Sequence, residues 1–227
     1  MNTPKPITLI LADDHVIVRQ GLSALLKADE RFKIVGEAKN GRIAVELART
    51  LKPDVILMDI AMPVLNGLEA TRQILTLDPN AKIIILSAHS EDVYIQRLRT
   101  AGVAGFLDKQ TSAEILTEAI REVAAGRLAY SPAIAKRLSV AASQSERGDL
   151  LKANGPHLTF RESEVLQLVA EGMANKQVAA ELKISIKTVE KHRQRLMDKL
   201  NIHDTAGLTR YAITAGVIES SVHHTIL

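Results

Sequence analysis

The chain has no cysteine and no tryptophan. The first absence excludes disulfides, thiolate metal sites and cysteine nucleophiles, and it fits a reducing compartment. Aromatic residues make up only 3% of the chain, so stacking on single-stranded bases is a poor candidate for a binding mode. Long apolar runs are missing as well. The stretch Ile7–Ala12 stops at Asp13 and Asp14, which is no signal peptide. Nothing approaches the roughly 20 apolar residues that cross a bilayer. The cytoplasm is therefore the expected location, with no membrane partner. A strong charge of one sign is also lacking, since the net charge is +3.

The 227 residues are 46% hydrophobic and 24% charged, which suits a globular chain of one or two domains. The charge is unevenly spread. Residues 1–130 carry 16 basic and 16 acidic side chains, and the remaining 13 basic and 10 acidic ones follow, so the whole excess is C-terminal. Up to about residue 128, short apolar runs alternate with amphipathic stretches. Strands are expected at Ile7–Ala12, Ile34–Ala38, Val55–Ile60, Lys82–Ala88 and Gly105–Lys109. Helix-length segments separate them, the first marked by Leu22, Leu25 and Leu26. The last is marked by Ile115, Leu116, Ala119, Ile120 and Val123, and Thr111-Ser-Ala-Glu114 before it has a capping-box pattern. Five strands alternating with five helices predict an α/β domain with an open, doubly wound parallel sheet.

Residues 139–157 are small, polar and Gly/Pro-containing, as linkers are. The expected division is 1–129 for the α/β domain, 130–156 for a linker and 157–227 for an all-α domain of four helices. In that last part Thr159-Phe-Arg-Glu162 is a capping box. Asn175 to Leu182 forms a short second helix, and Ser185 caps a third that runs to about Leu200. A fourth begins at Thr205 and ends before Gly216.

Parallel α/β sheets gather ligand sites at the carboxyl ends of their strands. Polar residues at those ends are Asp13 and Asp14, Asp59, Ser87 and Lys109. Clustered carboxylates repel, so either a pKa rises or a cation binds. A hard cation such as Mg²⁺ takes oxygen ligands. An ionised Asp beside such an ion and an ammonium group can attack a phosphoryl group, a step that depends on positioning and charge neutralisation. Taken singly, an Asp pair after a strand is often a helix cap, and a Lys at a strand end is often solvated.

Together these residues resemble the receiver domain of two-component response regulators, which has the flavodoxin-like form of the doubly wound fold. The matching positions are Asp13-Asp14, Asp59 with Met62-Pro63 and Gly67, Ser87-Ala88, and Gly105-Phe-Leu-Asp-Lys109. The resemblance implies that Asp59 accepts a phosphoryl group from a sensor histidine kinase. It also implies Mg²⁺ held by Asp14, Asp59 and the carbonyl of Ala61, with Asp13 acting through water. Ser87 and Lys109 would bind phosphoryl oxygens, and Phe106 would be the switch aromatic. Two positions depart from the family's pattern. Phe106 has no hydroxyl, and Gln110 stands where proline commonly follows the lysine.

In the C-terminal part, the turn around Lys183-Ile-Ser185 fits a helix-turn-helix whose second helix enters the DNA major groove. Seven basic residues between Lys176 and Lys199 face three acids there. A helical bundle with a solvated basic face is the plainer alternative. Residues 158–218 resemble the LuxR-type helix-turn-helix of NarL/FixJ-type regulators. The resemblance runs through Leu158-Thr159, Arg161-Glu162, Glu164-Val-Leu166, Gly172, Asn175-Lys176, Ala179 and Leu182. It continues through Ser185, Lys187-Thr-Val189, His192 and Lys199-Leu200. It implies phosphate contacts from Lys176, Lys187, Thr188 and Lys199, and base contacts from Glu190, Lys191 and Gln194. The fourth helix would form dimers.

The expected function is a phosphorylation-controlled transcriptional regulator, dimeric when phosphorylated, on double-stranded DNA with two half-sites. A phosphatase using an Asp nucleophile is disfavoured. Such enzymes with an Asp-x-Asp signature place a general acid two residues on, where this chain has Ala61.

Overall fold

The computed structural model describes residues 5–87, 102–131, 134–136 and 158–218. Ala88, the expected fourth helix of the first domain and most of the expected linker 130–156 lie outside the described residues. The chain divides into two compact units, with the break between Ala153 and Asn154.

The first unit has strands β1 (Ile7–Ala12), β2 (Phe32–Ala38), β3 (Val55–Asp59), β4 (Ile83–Ser87), β5 (Gly105–Asp108) and β6 (Ala129–Tyr130). They form one sheet in the order β2-β1-β3-β4-β5-β6, with parallel pairing throughout. The described helices are α1 (Val16–Lys27), α2 (Gly41–Leu51), α3 (Gly67–Leu77) and α4 (Ala113–Ala124). The five expected strands are present, and β2 starts two residues earlier than its apolar run suggests, at Phe32. The sixth strand was not expected. It is two residues long, pairing Gly105 with Ala129 and Phe106 with Tyr130, too short to leave a periodic signal.

Alternation along the strands divides the core. Ile10, Ile56, Met58, Ile83, Ile85 and Phe106 pack in one cluster with Ala44 of α2 and Ile74 of α3. Leu9, Leu11, Leu57, Ile84, Leu86 and Leu107 pack in another with Leu26 of α1 and Ile120 of α4. Successive side chains point to opposite faces, so a continuous apolar run serves both. On α4, Leu116, Ala119, Ile120 and Val123 are buried, but Ile115 is 51% exposed. Ser112 caps this helix, accepting from the amide of Ile115. The expected box began one residue too early, because the amide of Thr111 is bonded to the carbonyl of Asp108 instead.

The second unit is helical: α5 (Phe160–Ala170), α6 (Asn175–Leu182), α7 (Ile186–Leu200) and α8 (Thr205–Thr214). Its core is Val165, Leu166, Leu168, Val169, Val178, Leu182, Val189, Leu196 and Leu208. The capping box of Thr159 and Glu162 is formed. No helix among the described residues is long and apolar enough to cross a membrane.

One close approach fixes the loop after β3. The amide of Gly67 donates to the carbonyl of Ile60 at 2.8 Å. A Cβ at Gly67 would lie 1.8 Å from the carbonyl oxygen of Asp59, a backbone atom with no freedom to retreat. Gly67→Ala should therefore cost about 3 kcal/mol, the upper end of overpacking penalties. Urea unfolding of the full chain checks this, and an unmoved midpoint contradicts it.

Candidate functional site

Each acidic side chain reaches the site from a strand end. Asp13 follows β1, and its amide donates to the carbonyl of Ala38 at 3.1 Å, anchoring the loop to the end of β2. Its Oδ1 accepts the amide of His15 at 2.8 Å. This turn leads into α1, whose N-cap His15 makes no side-chain cap bond, so Asp13 shapes the loop and does not cap the helix. Asp59 is the last residue of β3, and Ser87 is the last of β4. Lys109 directly follows β5, and its amide donates to the carbonyl of Ser87 at 2.9 Å. That bond ties the hydroxyl-bearing and ammonium-bearing strand ends together.

The side chains converge as expected. Asp13 is 2% exposed and Asp59 3%. The Lys109 Nζ lies 2.9 Å from Asp13 Oδ2 and 2.7 Å from Asp59 Oδ2. Asp14 is half-buried, and its Oδ1 lies 2.9 Å from Nδ1 of His15. One ligand atom each from Asp13, Asp14, His15 and Asp59 fits within 4.8 Å of the others. Three of these four donors are carboxylates, the donor set a hard divalent cation takes. Phe106 is buried in β5. Ala61 lies two residues past the end of β3, in the loop that closes on Gly67.

Electrostatics explains the site's tension. Burial raises the Asp59 carboxyl to about 6, and the negative charges of Asp13 and Asp14 push the same way, while Lys109 opposes them. Burial also works against the Lys109 ammonium, but Asp59 and Asp13 outweigh it and hold its pKa above the usual lysine value.

Several contributors were not expected from sequence. His15 joins the donor cluster, and its place next to an Asp pair was the available signal. Arg19 donates to the carbonyl of Asp13 at 2.7 Å and faces Glu37 of β2 at 3.4 Å. It thus steadies the β1–α1 loop from behind. Gln110, where proline is common, donates its amide to Asp108 Oδ1 at 2.7 Å. Proline has no amide hydrogen, so here a side-chain acceptor shapes the loop in place of a fixed φ.

In the second unit, Lys183 takes a left-handed conformation, φ +53°, and closes α6. Ser185 then caps α7, accepting the amide of Thr188 at 3.1 Å, with its Oγ 2.8 Å from the Thr188 hydroxyl. A three-residue turn thus separates α6 from α7, as a helix-turn-helix requires. Lys176, Lys187, Glu190, Lys191 and Gln194 are exposed. Gln194 donates to Asp198 at 2.8 Å. Lys199, expected at a phosphate, is exposed and also has a partner within the fold. Its ammonium lies 2.6 Å from Oε2 of Glu162, a buried acid at the start of α5. Burial would raise the Glu162 carboxyl, but Lys199 and Thr159 more than offset it, and its pKa lies below the usual range.

Asp59 leads to a pH prediction. Its folded-state pKa is raised to about 6 from 3.8, so the protonated form is favoured by folding. That stability is fully present below the unfolded value and is lost as pH rises through about 6. Asp59→Asn, which mimics the protonated carboxyl, should stabilise the metal-free chain by about 2 kcal/mol above neutral pH and by little near pH 4. Calorimetry of the full chain in chelator checks this. A gain that does not grow with pH contradicts it.

The comparisons with known proteins agree in both units. Residues 9–121 match the response regulator receiver domain, and residues 156–212 match the bacterial regulatory proteins of the luxR family. The response regulator GacA of Pseudomonas aeruginosa is 35% identical over 215 residues, covering 95% of this chain and 99% of its own. A LuxR-family response regulator from Aurantimonas sp. SI85-9A1 superposes with a TM-score of 0.58 at 33% identity, over 61% of this chain and 99% of its own. A structure of two RcsB dimers bound to two parallel DNAs matches with a TM-score of 0.55 at 25% identity, over 91% of this chain and 98% of its own. With a receiver unit at one end and a luxR-type DNA-binding unit at the other, this chain belongs to the two-component response regulators that control transcription.

Proposed function

We propose that Asp59 accepts a phosphoryl group from a phosphohistidine on a sensor histidine kinase, and that this switches dimerisation and DNA binding. The observation that supports this most is the clustering of Asp13, Asp14 and Asp59 at the strand ends, with Lys109 against Asp13 and Asp59. In the transfer, a carboxylate oxygen of Asp59 attacks phosphorus and the phosphorus–nitrogen bond breaks. The donor imidazole keeps the electron pair. Asp14, Asp59 and the Ala61 carbonyl would hold Mg²⁺, with Asp13 acting through water, and a bound ion there would supply charge neutralisation for the phosphoryl oxygens. Lys109 then exchanges a carboxylate partner for a phosphoryl oxygen, and the Ser87 hydroxyl donates to another. Phe106 answers that movement of Ser87. With Ala61 supplying no general acid, Asp59 serves as an acceptor and the chain is no turnover enzyme.

Residues 1–129 form the receiver, 130–156 the linker and 157–227 the DNA-binding domain in this reading. RcsB is known as dimers on DNA, and we extend that arrangement here: a phosphorylated homodimer on duplex DNA with two half-sites, in the cytoplasm. Lys176, Lys187 and Thr188 contact phosphates, while Glu190, Lys191 and Gln194 meet base edges. Lys199, exposed beside its pairing with Glu162, is a further phosphate contact.

The test uses acetyl phosphate and Mg²⁺. One phosphoryl group should appear by intact mass on the full chain and none on Asp59→Ala. Affinity for a duplex selected from a random library should rise about tenfold or more on phosphorylation, in the range of ordinary coupling energies. Equal affinities for modified and unmodified chain would remove the switch.

A further inference from the structure

We propose that Arg193 is a positioning residue that sets the pose of the DNA-reading helix α7 and makes no phosphate contact. This rests on DNA binding by α7. By composition alone, Arg193 is one of seven basic residues between Lys176 and Lys199. Its geometry separates it from the exposed lysines. One guanidinium nitrogen donates to Asn175 Oδ1 at 3.1 Å, and the other terminal nitrogen donates to Thr205 Oγ1 at 2.6 Å. Asn175 is the first residue of α6, and Thr205 is the first of α8. One side chain on α7 therefore reaches the starts of both helices that flank it in sequence.

The helix period accounts for this placement. Arg193 lies four residues after Val189 and three before Leu196, both buried, so its stem runs beside the packed face. Glu190, Lys191 and Gln194 are exposed instead. Helix α7 packs chiefly on α5 and α6, whereas α8 packs chiefly on α5. Arg193 supplies a polar tie from α7 to α8. Its guanidinium is planar, with donors in a rigid fork, so two bonds made at once restrict rotation of α7 about its axis as well as its distance. Rotation of α7 would move Glu190, Lys191 and Gln194 together relative to the base edges. Arg193 thereby acts on sequence discrimination through residues it does not itself replace.

The test compares two DNAs and one slope. The full-length chain is titrated with a duplex that the wild-type chain selected from a random library, and separately with calf thymus DNA, across a series of salt concentrations. Arg193→Met should weaken binding to the selected duplex by about tenfold, the effect of losing charge-assisted hydrogen bonds. Affinity for calf thymus DNA and the log–log salt slope should stay as in wild type. Lys187→Ala serves as the contrast, since loss of a phosphate contact lowers the slope by about one and weakens both DNAs. Thr205→Val removes a single bond and keeps the shape of the side chain. It should give a smaller loss of the same kind, and it covers the case in which Arg193→Met unfolds the domain. The double variant Arg193→Met with Thr205→Val should bind no worse than Arg193→Met alone. A slope reduced by about one in Arg193→Met would overturn the proposal, because that marks a phosphate contact. Unchanged affinity for the selected duplex would overturn it equally. Absence of salt-dependent duplex binding by the wild-type chain would instead remove the DNA-binding reading, and this inference with it.

Discussion

Everything in the receiver's acidic pocket depends on one ammonium group. Asp13 and Asp59 are almost wholly buried, and two carboxylates in that position would repel each other and lose their hydration. Lys109 stands within 3 Å of an oxygen on each. It can do so because β5 ends beside β4, with the Lys109 amide bonded to the Ser87 carbonyl. Compensation is incomplete, as the raised Asp59 carboxyl indicates. A site left with excess negative charge and clustered carboxylates has the donor set that a hard divalent cation takes.

The DNA-binding unit solves a related problem differently. Glu162 is buried at the start of α5, where it accepts the amide of Thr159 and the ammonium of Lys199. Here the compensation is complete and the carboxyl stays ionised, below the usual range. The pair links the start of α5 to the end of α7. The two units thus set a lysine against a buried carboxylate with opposite results, a raised carboxyl pKa at Asp59 and a lowered one at Glu162.

Much of this was legible in the residues, for identifiable reasons. Strands buried on both faces write themselves as runs of Ile, Leu and Val, so β1, β3, β4 and β5 were visible. Asp13, Asp59 and Lys109 were legible as a group because parallel topology brings strand ends together, however distant in sequence. The two-residue β6 was not legible, since so short a pairing has no period. Ile115 looked like core because it sits next to Leu116, yet a helix turns by about 100° per residue and carries it to the surface. Composition could not separate Lys187 from Lys199 or Arg193. What distinguishes them is the partner across the fold, and a charge count carries no partners.

The contact between Gly67 and the Asp59 carbonyl has a mechanical consequence. The start of α3 leaves no slack behind the acceptor. Gly41 at the start of α2 is pressed in turn on Leu65 and Ala70, with its amide bonded to the Leu65 carbonyl at 2.9 Å. On this side the backbone at Asp59 is backed by the starts of two helices. On the other side, at the ends of β4 and β5, the Lys109 amide donates a hydrogen bond to the Ser87 carbonyl just beyond the last paired residues of the two strands. The brace makes Asp59 the most firmly seated of the pocket's carboxylates, held from behind by the starts of two helices.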